Sequence, residues 1–266
     1  MDGLLADLFG GLPWWGIALL LLAAVTAGFI DAVVGGGGLV QLPALLLVPG
    51  ISPVQALATN KLGSICGTAT SSVTFYRRVR PDLGTALPMA ALAGAGSAAG
   101  AVSASLLPAS VFRPVIVVAL VAVAVYTLSR PSMGDVSALR FDGRTHHVAA
   151  GLAGAAIGFY DGILGPGTGS FLVFALVGLM GYAFLEASAK AKIVNFATNL
   201  GALLVFVPQG AVRWGLGVGM GLANILGSYL GARTAISRGS RFVRVFFLVV
   251  VGALVLRLGW QVVTGG

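Results

Sequence analysis

From Trp14 to Val34 the chain reads WWGIALLLLAAVTAGFIDAVV, with Asp31 its one ionisable residue, and runs of this kind recur along its whole length. Apolar stretches fall at 14–34, 39–49, 53–76, 83–106, 109–129, 147–164, 169–181, 183–208, 214–236 and 241–262, punctuated by Pro, Gly and clusters of charge. A hydrocarbon core about 30 Å thick takes about 20 apolar residues of α-helix. Most of these runs are long enough to cross it, and 266 residues leave little chain for a soluble domain. Only 9% of the residues are charged and 58% are hydrophobic, whereas about a quarter of a soluble domain is charged. The expected fold class is all-α integral membrane, a polytopic helical bundle of about 8 to 10 segments. The runs at 39–49 and 169–181 are too short to cross and read as half-helices or re-entrant segments.

The first run is preceded by Asp2 and Asp7 and by no Lys or Arg, so it lacks the basic n-region of a signal peptide and reads as a retained helix. A single cysteine, Cys66, excludes an internal disulfide and a multi-cysteine metal site, and reads as a small packing residue. The formal charge of +8 sits mostly on arginines in short loops. That is the distribution of a topology signal, not of a nucleic-acid surface. Arg77, Arg78 and Arg80, then Arg130, Arg140 and Arg144, then Arg233, Arg238 and Arg241 mark three connections as cytoplasmic.

The two halves are copies. GFID at 28–31 recurs as GFYD at 158–161, offset by 130 residues. Lys61 matches Lys192, GSAAGA at 96–101 matches GSYLGA at 227–232, and Arg113 matches Arg244, each offset by 131. Domains are expected at 1–130, a first transmembrane repeat, and 148–266, a second, joined by a polar cytoplasmic linker at 131–147. If each short run forms a hairpin with the helix before it, each half makes five passes. An odd number turns the second half upside down and leaves both termini outside, the inverted-repeat plan of many secondary transporters, whose sites lie where helices break at the midplane.

The breaks fall at matched places, GGGGLVQLP at 35–43 and GPGTGSFLV at 165–173. Glycine lets the backbone leave helical geometry, and a helix restarting there exposes unpaired N–H groups and a positive dipole end, which suit an anion. Restarts are expected at Leu39 and Ser170, with Thr168 or Ser170 either capping the helix or donating to a ligand. Isolated glycines such as Gly94 and Gly219 read as helix-packing residues.

Lys61 and Lys192 lie inside apolar runs, where a lysine costs about 2.5 to 3.5 kcal/mol on insertion scales and so needs a partner or water. At helical spacing Lys192, Asn195 and Asn199 share a face, as do Lys61, Ser64 and Thr68. Two readings follow: cations flanking a buried anion, or lysines neutralised by carboxylates. Asp31 and Asp161 end helices, where the dipole disfavours negative charge, so pairing with a lysine or protonation must compensate. Closing the turn and carrying a coupling proton are both open roles for them. Glu186 and Lys190 have no charged counterparts in the first half and mark either divergence of the copies or the cytoplasmic mouth.

No catalytic activity, cofactor or metal is expected. An intramembrane Ser/His hydrolase needs a histidine at membrane depth, while His146 and His147 fall in the polar linker and read as surface-loop residues. No nucleotide-binding fingerprint is present, which points to an ion or proton gradient, or uniport.

GFIDAVVGGGGLVQLPALL with ATNKLGS, and GFYDGILGPGTGSF with AKAKIVNFATNLGALLVF, resemble the sulfite exporter TauE/SafE family, also described as sulfonate permeases. The similarity covers all but the ends and the linker. It implies multi-pass residence in the bacterial plasma or inner membrane and transport of small sulfur-containing oxyanions such as sulfite or sulfonates. Carried over by position, the implied site comprises Gly35, Gly36, Gly37, Gly38, Asn60 and Lys61, and Gly165, Gly167, Thr168, Gly169, Ser170, Lys192, Asn195 and Asn199. Ser64 and Thr68 join it from the polar seam, and Asp31 and Asp161 are the candidate proton carriers. The expected partners are a small anionic substrate and the lipid bilayer, with no nucleic acid; a homo-oligomer is compatible with the sequence. The competing class is a channel-like or cation-conducting protein in which the two aspartates hold the ion.

Overall fold

The computed structural model describes residues 9, 11–104 and 136–264, with side chains described up to Ala253 apart from Val251. The run expected at 109–129, with Arg113 and Arg130, lies outside the described residues. The helices are α1 (Trp14–Val34), α2 (Gly38–Leu46), α3 (Pro53–Val79), α4 (Leu83–Ser103), α5 (Gly143–Ile163), α6 (Thr168–Phe174), α7 (Phe184–Phe206) and α8 (Trp214–Thr264). No strand occurs among the described residues. A π-helical turn, Ala175–Leu179, continues α6. The two runs expected at 214–236 and 241–262 form one helical rod interrupted at Gly239, where φ is 72° and ψ is −173°.

Local chemistry accounts for three of the boundaries. Ser52 and Gln55 form a reciprocal capping box ahead of Pro53 at the start of α3. Asp82 caps α4 by accepting from the N–H groups of Gly84 and Thr85. Gly35, with φ 84°, ends α1 by donating its N–H to the Asp31 carbonyl.

Polarity is distributed inside out. Lys61, Lys190, Lys192, Asp161, Asn60 and Gln41 are buried, while Leu19, Leu22, Leu92, Leu152, Leu204 and Leu222 project outward. A protein in water would expose the first set and bury much of the second. Such an exterior suits a hydrocarbon solvent, with the polar groups turned into the bundle. By length and composition α1 and α4 are the helices sufficient to span a membrane among the described residues. In α3 the buried polar residues Thr59, Asn60, Lys61, Thr68 and Ser71 lower the mean hydropathy.

Helix α4 packs on α5 and α7, and α8 packs on α1 and α3. The contacts that bring these helices together repeat at matched positions. A Cβ on Gly96 would stand 2.5 Å from the Ala155 carbonyl oxygen, and one on Gly227 would stand 1.9 Å from that of Val25. Backbones this close admit no side chain, the usual means of tight packing between membrane helices. Gly94 and Gly219 also lie close to neighbours: a Cβ on Gly94 would stand 3.0 Å from the Ala197 carbonyl oxygen, and one on Gly219 would stand 2.6 Å from the Phe9 ring.

Candidate functional site

The two breaks meet. Gly35 and Gly169 touch backbone to backbone, and the Ser170 N–H donates to the Gly35 carbonyl at 3.0 Å. Helix α2 restarts at Gly38, one residue before the expected Leu39, and α6 restarts at Thr168, two before Ser170. Gly167, with φ 84°, holds the cap position of α6. Neither hydroxyl takes that role: Thr168 Oγ1 donates to the Gly165 carbonyl at 2.8 Å, and Ser170 Oγ to the Val34 carbonyl at 3.0 Å.

Both lysines are paired, and the pairs cross between the halves. Lys61 Nζ stands 2.5 Å from Asp161 Oδ2, and Lys192 Nζ stands 3.1 Å from Asp31 Oδ2 while also donating to the Asp31 carbonyl oxygen. Lys61 is 1% exposed and Lys192 fully buried. Each lysine therefore neutralises the aspartate of the opposite half, and the centre balances two positive against two negative charges. Pairing with the C-terminal carbonyl of α1 adds a second interaction, because a cation suits the negative end of a helix. Ser97 Oγ donates to Asp161 Oδ2 at 3.2 Å and helps to orient that carboxylate.

Between the pairs lies a cavity of about 20 Å³, room for about one water. Of the residues singled out in the sequence, Asp31, Gly35, Gly38, Asn60, Lys61, Ser64, Asp161, Gly165, Thr168, Gly169, Asn195 and Asn199 line it. Gly36, Gly37, Thr68, Gly167, Ser170 and Lys192 stand behind the lining. Thr68 Oγ1 accepts from Asn199 Nδ2 at 3.5 Å, and Gly37 packs against the Ala27 carbonyl and Asp31 Cβ. Among the described residues the N–H groups of Gly38 and Gly169 have no acceptor. The buried Asn60 Oδ1 has no hydrogen-bond partner, an arrangement that stores unmet polar capacity at the cavity wall.

Some participants were not legible from motifs. Ser97 sits in the GSAAGA anchor, and only its contact with Asp161 gives it a role. Asn224 donates to Gln41 Oε1 at 2.6 Å and accepts from Ser228, bracing α2 against α8. An asparagine inside the apolar run 214–236 was the available signal for it.

A second polar cluster lies at the arginine-bearing end. Lys190, fully buried, donates to the Asp82 carbonyl at 2.9 Å, pairs with Asp82 at 3.5 Å and Glu186 at 3.6 Å, and lies over the Tyr182 ring at 4.6 Å. His146 belongs to this cluster, which corrects the surface-loop expectation. Helix α5 begins at Gly143, within the stretch read as linker, and His146, Ala150, Gly154, Gly158 and Asp161 form its inward face. The polar start of the helix hid that periodicity. His146 Nε2 shares hydrogen bonds with Tyr182 Oη at 2.8 Å and Thr85 Oγ1 at 3.2 Å, while His147 is exposed.

The Asp82 carboxyl, at the end of the bundle, is held down to about 2 from the ordinary 3.8, first by the Thr85 side chain and then by the Gly84 N–H and the Lys190 ammonium, against partial burial. Because its folded value is depressed, its contribution to stability is present above pH 4 and is lost as pH falls toward 2. Asp82→Asn keeps the helix cap and removes the charge. The gap in melting temperature between wild type and Asp82→Asn in detergent is expected to be constant above pH 5 and to close between about pH 4 and 2. A gap that stays open at pH 2 contradicts this role.

The sulfite exporter TauE/SafE family model matches residues 20–258. The chain is 40% identical over 242 residues to the probable membrane transporter protein ORF9 of Sinorhizobium sp, covering 91% of this chain and 92% of that one. It is 35% identical over 243 residues to the probable membrane transporter protein YfcA of Escherichia coli strain K12, covering 91% and 89% respectively. A probable membrane transporter protein of Haemophilus influenzae is 33% identical over 249 residues, covering 92% and 96%. No solved structure matches the chain. With a match this long, and an apolar exterior around buried ion pairs, the chain belongs to the sulfite exporter TauE/SafE family and is a multi-pass membrane transporter, not an enzyme.

Proposed function

We propose that the protein carries small sulfur-containing anions of the sulfite and sulfonate class by alternating access, with each anionic charge accompanied by a proton. The carrying observation is the polar cavity at the two apposed breaks, bounded by Lys61–Asp161 and backed by Lys192–Asp31. The centre is already neutral. Adding a bare anion would bury uncompensated charge, which costs several kcal/mol. Adding an anion and protonating Asp161 or Asp31 keeps neutrality, and the lysine freed from its carboxylate becomes the anion's partner. Gly38 and Gly169 N–H groups and the Asn60, Asn195 and Asn199 amides supply further donors. A cavity with room for one water must expand to admit a three-oxygen anion, which couples binding to separation of the ion pairs.

We read the halves, 1–130 and 148–266, as inverted repeats. Support comes from the crossed pairs, from the matched contacts of Gly96 and Gly227, and from the course of α3 and α7. Leu57 and Phe206 share one packed cluster while Thr68 meets Asn199, so these matched helices pass in opposite directions. Rocking of one repeat against the other then exposes the site to each side in turn. Cation conduction through the two aspartates would have to displace the lysines that hold both carboxylates.

Counterflow in proteoliposomes with labelled sulfite, sulfonates, sulfate and carboxylates tests the reading. Exchange of sulfite or a sulfonate is expected, with net uptake driven by an imposed inward proton gradient. Absence of exchange for every anion, with folded protein in the vesicles, overturns it.

A further inference from the structure

At the arginine-bearing end, away from the central cavity, α3 and α8 part to leave a surface pocket of about 430 Å³. Arg77 and Arg78 enter it from the last turns of α3, and Arg233 enters it from α8. None of the three forms an ion pair with a carboxylate among the described residues. Arg233 Nη1 donates to Tyr229 Oη at 3.1 Å, and its guanidinium lies 5.5 Å from that ring's centre. A neutral phenol fixes the group in place and leaves its charge uncompensated. Three positive charges thus converge on one pocket from two helices. A topology signal alone needs arginines only somewhere in the loop.

The pocket is also continuous with the apolar exterior. Val73 and Tyr229, both in its wall, are 51% and 42% exposed, and Leu226 and Leu230 continue the outward face of α8 toward the membrane interior. A ligand filling this space has an anionic, hydrogen-bond-accepting head among guanidinium groups and hydrocarbon running along α8. A soluble anion has no use for the apolar half. We propose that the pocket binds the phosphate of an anionic phospholipid in the cytoplasmic leaflet, its acyl chains lying against Val73 and the α8 leucines. Arginine suits this task because its planar fork grips phosphate oxygens in pairs. Basic pockets between membrane helices on this side are a recurrent means of holding such headgroups.

The test uses the full chain purified in detergent, with phosphatidylglycerol and phosphatidylcholine of the same chain length, and inorganic phosphate, as separate probes. Native mass spectrometry reads lipid retention and thermal unfolding reads stabilisation. Phosphatidylglycerol is expected to be retained and to raise the melting temperature, with phosphatidylcholine and inorganic phosphate doing neither. Arg77→Gln/Arg78→Gln/Arg233→Gln should weaken phosphatidylglycerol binding on the order of 100-fold, and each single variant about fivefold. Should the triple variant not fold, the single variants decide alone. Arg233→Lys, which keeps the charge, should lose less than Arg233→Gln. Equal retention of the two lipids, or retention unchanged in the glutamine variants, overturns the proposal. Stabilisation by inorganic phosphate equal to that by phosphatidylglycerol also overturns it and makes the pocket a soluble-anion site.

Discussion

Lys61→Met is expected to abolish anion counterflow and to lower folding stability by about 3 to 5 kcal/mol, the cost of leaving one member of a buried ion pair without the other. Asp161, nearly devoid of solvent contact, keeps the Ser97 hydroxyl as its hydrogen-bond partner among the described residues in that variant. Replacing both members, Lys61→Met with Asp161→Asn, removes the two charges together and should recover most of the stability without recovering transport. Thermal unfolding of the single and double variants, beside counterflow in the same lipid, separates the structural share of the pair from its role toward the ligand. Asp161→Asn alone makes the sharper functional prediction: anion exchange persists or tightens, because Lys61 is freed, while acceleration by an imposed proton gradient disappears. A double variant that transports normally would remove Lys61 from the binding machinery. Gradient-driven uptake surviving in both Asp161→Asn and Asp31→Asn would remove the proton from the cycle.

Gly35→Ala is expected to prevent accumulation of folded protein. A Cβ there would stand 2.0 Å from the Gly169 carbonyl carbon, and φ is already 84°, a conformation disfavoured for any residue with a side chain. The clashing group is backbone held on both sides, by Ser170 N–H to Gly35 and Ser170 Oγ to Val34, so it cannot swing aside. Overpacking and left-handed strain together amount to about 4 kcal/mol or more. Gly50→Ala separates the two causes. Gly50 has φ 72° with open space around it, so only the conformational cost, about 1 to 2 kcal/mol, applies. Expression and melting temperature of the two variants side by side give the comparison. Equal behaviour would mean that the two breaks do not meet as closely as described.

Much of this architecture was legible because membrane helices are decided locally. Trp14–Val34 coincides with the first apolar run, and α3, α4 and α7 follow theirs within a few residues, since backbone hydrogen bonds inside hydrocarbon must be satisfied within each segment. The exceptions are instructive. Helix α5 reaches back to Gly143 because Arg144, Thr145 and His147 sit on its exposed face, so a hydropathy reading ends where the helix does not. The restarts of α2 and α6 shifted by one and two residues because the Gly35–Gly169 contact between the halves, not local capping, sets where the chain turns.

The candidate site divides in the same way. Duplicated motifs located the glycine breaks, the lysines and the polar seams, since helical periodicity alone puts Lys192, Asn195 and Asn199 on one face. Periodicity relates residues only along one helix. Which aspartate meets which lysine depends on how two halves more than a hundred residues apart are packed, and no local rule carries that information. The sequence by itself determined an all-helical membrane protein with two matched breaks and a buried lysine in each half. Only the tertiary structure decided that the pairs cross, Lys61 to Asp161 and Lys192 to Asp31. It alone turned His146 inward and brought Arg77, Arg78 and Arg233 to one pocket, because these are contacts between helices whose mutual placement is settled by packing of small residues.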